Sequence, residues 1–121
     1  RLAVCSNFTH AATAHRVIAA AGLASLIDVV VISEEVGVRK PRPEIFRETL
    51  ARLDVEPRET LHIGDNLDAD IAGAAAVGAA TGWITRRVSD PQRALRAYEG
   101  PLPRVRMRDL AELPGLVDAF R

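Results

Sequence analysis

Apolar and polar residues alternate in blocks along the chain, and each block has the period of one kind of element. Leu2–Cys5 is a short apolar run that ends at Ser6-Asn7, which predicts a buried strand with a polar tip. Ala14, Val17, Ile18 and Ala21 recur at helical spacing, so a helix is expected over about Ala11–Ala21, stopped by Gly22. Asp28–Ser33 is β-branched and reads as a second strand. Glu34–Arg42 is polar, contains Gly37 and Pro41, and reads as a loop. Pro43 suits the first position of a helix reaching about Leu53, with Ile45, Phe46, Leu50 and Leu53 inward.

The second half repeats the alternation. Leu61–Ile63 is a strand that stops at Gly64-Asp65-Asn66, and an Ala-rich helix follows to about Val77, closed by Gly78. Ala79–Thr85 is the next strand, Pro91–Tyr98 a short helix, Gly100–Pro103 a turn and Val105–Met107 a last short strand. Asp109–Phe120 reads as helix with a break at Pro114-Gly115. Strand and helix in turn imply a mainly parallel sheet covered on both faces, a Rossmann-like three-layer α/β/α fold.

Composition narrows this to one soluble globular domain over residues 1–121, with 48% hydrophobic and 26% charged residues. The formal net charge is zero, which supplies no global field for nucleic acid or an anionic membrane. Residues 86–121 carry eight basic and five acidic side chains, a mild excess that reads as solvated surface. One cysteine, Cys5, allows no internal disulfide and points to a reducing compartment, the cytoplasm. No apolar stretch has the length of a membrane-spanning helix.

Chemistry enters at the strand tips. Asp65 closes a strand, and Asp70 follows five residues on, which is about 140° around one helix, so the two do not share a helical face. They converge if Asp65 ends the strand and Asp70 lies in the first helical turn. Two carboxylates meeting in that way suit a hard cation such as Mg²⁺. Ser6-Asn7 and the loop bearing Lys40 lie at other tips, and a parallel sheet places such tips on one edge. Lys40 is the sole lysine among sixteen basic residues, a compact ammonium in a chain otherwise committed to guanidinium. Hydroxyl, ammonium and metal-binding acids together make a site for a phosphoryl group. His10, His15 and His62 lack metal-ligand spacing and read as structural, Asp68 as a helix-start residue, and Trp83 as core.

The strand ending in Ser6-Asn7, the GVRKPRPEIF run with Lys40, and HIGDNLDADIAGA with Asp65 and Asp70 resemble the haloacid dehalogenase-like (HAD) hydrolase superfamily. They match its second, third and fourth motifs in order, across about residues 2–85. The resemblance implies that Ser6, with Asn7 beside it, bonds the phosphoryl oxygens and that Lys40 offsets negative charge. It implies that Asp65 ligates Mg²⁺ and that Asp70 ligates it or orients its waters. The superfamily's first motif, DxDx(T/V), which brings the aspartate nucleophile, does not occur in this sequence, nor does a cap segment.

The expectation is therefore the C-terminal part of a HAD-like core, inactive alone. The intact protein would be a Mg²⁺-dependent phosphatase of a small phosphorylated metabolite, working through an aspartyl-phosphate. The rivals are a haloacid dehalogenase, which the Gly64-Asp65-Asn66 acid disfavours, and a non-catalytic remnant that binds phosphate or a partner. Without the motif-bearing strand, the Leu2–Cys5 and Leu61–Ile63 strands become open edges, which an N-terminal segment or partner chain would cover.

Overall fold

The computed structural model describes residues 1–120, and the chain divides into two compact units, Arg1–Glu56 and Pro57–Arg121. In the first, strand β1 (Ala3–Ser6) pairs in parallel with β2 (Val29–Ile32), in the register Ala3 to Val29 and Ser6 to Ile32. Helix α1 (Ala11–Ala20) connects them, and a one-turn helix, α2 (Ser33–Val36), follows β2 directly. The loop expected from Glu34 therefore begins only at Gly37, whose φ of 74° ends that turn as glycine readily allows.

Helix α3 (Pro43–Leu53) has the predicted bounds. It buries Ile45, Phe46, Thr49, Leu50 and Leu53, and it packs on β1 and β2. These residues, with Val31 and Ile32, are the core of the unit. The apolar stripe of α1 behaves differently. Only Ala11 is buried, Val17 is 60% exposed, and Ala21 beyond the helix end is exposed. The helix forms where the spacing predicts it, and its principal contact is with α2 rather than with the sheet.

In the second unit, β3 (Leu61–Gly64), β4 (Ala80–Ile84) and β5 (Val105–Met107) form a parallel sheet in sequence order. A widened π-type turn (Leu67–Ala72) runs into helix α4 (Gly73–Ala76) between β3 and β4. Helix α5 (Pro91–Ala97) precedes β5. Trp83, Ile71 and Leu67 make the core, and Val88, Leu95 and Tyr98 pack against it. Beyond β5 the backbone is helical, but without the predicted break. Pro114 stands in the first turn of α6 (Leu113–Val117), where its missing N–H costs nothing, and Gly115 lies inside that helix. All strand pairs are parallel, as the alternation predicts, and they fall into two sheets, in which β1 and β3 are each edges. Among the described residues, no helix is long and apolar enough to cross a membrane.

Candidate active site

Ser6 is the last residue of β1, half-buried, and Asn7 is the first beyond it. The Asn7 carboxamide clamps the peptide of Lys40 from both sides: the Lys40 N–H donates to Asn7 Oδ1 at 2.8 Å, and Asn7 Nδ2 donates to the Lys40 carbonyl at 2.9 Å. The Lys40 ammonium donates to the Cys5 carbonyl at 2.8 Å, which holds it beside the end of β1. A second reciprocal pair straps the same loop to the tip of β2: Phe8 N–H donates to Ser33 Oγ at 2.9 Å, and that hydroxyl donates to the Phe8 carbonyl at 3.1 Å. Glu34 takes the Ala11 N–H at 2.7 Å, a carboxylate at the start of α1. Ser6, Asn7 and Lys40 are thus assembled within one unit. Ser33 and Glu34, which sequence pattern did not single out, do part of the holding.

The acids lie in the other unit. Asp65 follows β3 immediately and is exposed, with its carbonyl accepting the Trp83 Nε1–H at 2.9 Å. Asp70 sits in the π-type turn with its side chain only 6% exposed. One oxygen accepts the Asn66 N–H at 3.0 Å, and the other lies 3.0 Å from His62 Nε2. Asn66 in turn caps the helical turn, its Oδ1 accepting from Asp68 N–H at 3.0 Å and Ala69 N–H at 2.8 Å.

The room for the Asp70 carboxyl is made by Gly64: a Cβ there would fall 2.1 Å from Asp70 Cγ. Asp65 thus stands one residue beyond the end of β3, and Asp70 lies in the first helical turn. No group of three or more His, Cys, Asp or Glu side chains among the described residues is arranged to hold a metal.

Beside Asp65 opens a cleft of about 480 Å³, walled by Asn66, Asp68, Trp83, Val88, Tyr98 and Glu99. Burial raises the Tyr98 phenol above its ordinary pKa, and the charge of Asp68 adds to this. The Tyr98 hydroxyl donates to the Pro101 carbonyl at 2.9 Å. Trp83 is fully buried, as expected of core, yet its indole N–H also holds the acid loop. His10 caps α1 and His15 lies 2.9 Å from Glu35, both structural as read from the sequence.

The family model for haloacid dehalogenase-like hydrolase matches residues 1–78. Glyceraldehyde 3-phosphate phosphatase of Methanopyrus kandleri is 49% identical over 65 residues, 54% of this chain and 28% of that protein. Phosphoserine phosphatase of Thermus thermophilus is 38% identical over 95 residues, 77% of this chain and 35% of that protein. Among solved structures, the HAD-hydrolase YfnB of Bacillus subtilis superposes with a TM-score of 0.79 at 26% identity, over 97% of this chain and 48% of that one. The chain spans about a quarter to a third of the length of the curated relatives it matches. On the family match, the chain belongs to the haloacid dehalogenase-like hydrolases.

Proposed function

We propose that this chain is the C-terminal part of the core of a Mg²⁺-dependent phosphatase acting on a small phosphorylated metabolite. The observation that carries the reading is the exposed Asp65 carboxylate at the tip of β3, on a loop tied down by Asp70 and Trp83. The donor set is oxygen-only and suits a small hard cation, and the Gly64 space seats Asp70 against the loop. Support comes from the phosphatases among the relatives, and from the magnesium that the YfnB structure is described as binding.

Asp65 would hold Mg²⁺ directly, and Asp70 would hold it or orient its waters. The cation, when bound, neutralises charge on the phosphoryl group. By the family resemblance Ser6 would donate to a phosphoryl oxygen and the Lys40 ammonium would offset negative charge, with Asn7 keeping the Lys40 peptide in place. The attacking aspartate, which would give an aspartyl-phosphate that water hydrolyses, is not in this sequence, so the isolated chain is inactive. A preceding segment, or a partner chain, covers the open edges of β1 and β3. The working compartment is the reducing cytoplasm, consistent with the single cysteine, Cys5.

The test begins with the DNA upstream of the Arg1 codon, which should encode an apolar strand ending in DxDx(T/V). The product of that whole reading frame should hydrolyse p-nitrophenyl phosphate, lose the activity to EDTA and regain it with Mg²⁺. Dehalogenation of a 2-haloacid that survives chelation would replace this reading with the dehalogenase one. An upstream stop codon with a start at or near Arg1, together with a defined monomer or dimer by light scattering, would replace it with a non-catalytic binding role.

A further inference from the structure

We propose that His62 is a positioning residue of the acid loop, acting through Asp70; its bearing on metal binding rests on the function proposed above. The argument starts from the alternation of β3. Residues two apart in a strand face the same side, so His62 and Gly64 share a face while Leu61 and Ile63 take the other. On that face Gly64 leaves a space that a Cβ would close, and the Asp70 carboxyl fills it.

The carboxyl is then gripped at both ends. His62 Nε2 stands 3.0 Å from Oδ1, and the Asn66 N–H reaches Oδ2 at 3.0 Å. The side chains of His62 and Asp70 are 15% and 6% exposed, so water does little to compete for these bonds. A carboxylate fixed at one oxygen by a strand side chain presents its other oxygen in one direction. That direction ties the Asn66 N–H, and with it the peptide that follows Asp65. The Asn66 side chain passes the constraint on to the start of the π-type turn through Asp68 N–H and Ala69 N–H. His62 thereby sets the aim of an acid it does not touch: Asp65 keeps its exposed carboxylate on a loop whose backbone is held from two sides. Partners that orient a ligand in this way typically govern metal affinity by about 10–100-fold.

The experiment uses the full chain with His62→Gln, which keeps an N–H donor at similar reach, and His62→Leu, which removes it. Amide hydrogen exchange by NMR without metal is the first readout, and Mn²⁺ affinity by electron paramagnetic resonance the second. His62→Leu should speed exchange of the Asn66 amide about tenfold or more while the β4 amides stay protected, and His62→Gln should restore it. Mn²⁺ binding should weaken by about 10-fold or more in the Leu variant and recover with Gln. Should the Leu variant lose β4 protection, the Gln variant decides: wild-type exchange at Asn66 supports the proposal, and raised exchange with β4 intact overturns it. Unchanged exchange at Asn66 in a folded Leu variant also overturns it. Asp65→Asn separates the two ideas. Wild-type Mn²⁺ affinity in that variant refutes the metal-ligand reading, while exchange at Asn66 still judges His62.

Discussion

The two units hold their strand tips by different means. In Arg1–Glu56 the tip of β1 is held by a neutral carboxamide, with Asn7 gripping the peptide of Lys40 thirty-three residues away. In Pro57–Arg121 the tip of β3 is held by a buried carboxylate, with Asp70 gripping the Asn66 N–H four residues away. A buried carboxylate is costly unless several donors surround it, and His62 and Asn66 supply two. The neutral clamp needs no such shell, because amide and peptide satisfy each other. The first clamp fixes two distant segments to one another; the second fixes a short loop to its own strand.

The packing differs in the same sense. Unit two is built around one fully buried Trp83. Truncating it should cause the largest loss: Trp83→Ala should lower unfolding free energy by about 3–5 kcal/mol in urea melts, with the Asp65 carbonyl losing its donor. A loss under about 1 kcal/mol would show that the second unit has no single anchor.

Next is the Gly64 space, where no part of Asp70 can yield cheaply since its Cβ too would lie 2.4 Å from the new carbon. Gly64→Ala should cost about 3 kcal/mol, the top of the range for overpacking, and should speed exchange of the Asn66 amide. The neutral clamp should prove weaker. Asn7→Leu strands the Lys40 N–H and carbonyl in a half-exposed place and should cost about 1–2 kcal/mol, with the Lys40 amide resonance shifted. If Asn7→Leu costs more than Gly64→Ala, the contrast between the clamps is reversed.

Smaller effects lie at the periphery. Asp109 is held below the ordinary carboxylate range, first by the Ala111 N–H and further by Arg86. Its folded pKa is therefore below its unfolded one, so its contribution is present above the unfolded value and is lost as pH falls through the folded value. Asp109→Asn should remove that part of the acid-side slope, measured as melting temperature against pH. Least of all should be Val17→Ser in α1, within about 0.5 kcal/mol, because Val17 is 60% exposed. A larger loss would mean that the α1 stripe is covered in solution.

Much of this was legible before the structure. The bounds of α3 and β5 match the periodicity residue for residue, since Pro43 and a strong apolar stripe leave α3 one helical solution. The relation of Asp65 to Asp70 was legible because it is local, set by a strand end and the next turn. What was not legible is non-local. Val17 and Ala21 have the spacing of a buried face, but spacing says nothing about whether a surface exists to receive it. His62 carries no metal-ligand spacing, and its one signal was to share a strand face with Gly64.

The sequence by itself determined the α/β alternation, the parallel strands, the order of the three motifs and the family. Each of these follows from short-range pattern, where the periods of strand and helix and the chemistry of a turn act over a few residues. Only the tertiary structure decided what each polar group touches: that Asn7 serves Lys40, that Ser33 straps Phe8, that Trp83 holds Asp65 and that His62 grips Asp70. Those pairings depend on register and on the space left by a missing side chain at Gly64. Contacts of that kind are selected when the chain closes on itself, by burial and the need to satisfy every buried polar group, and no local pattern encodes them.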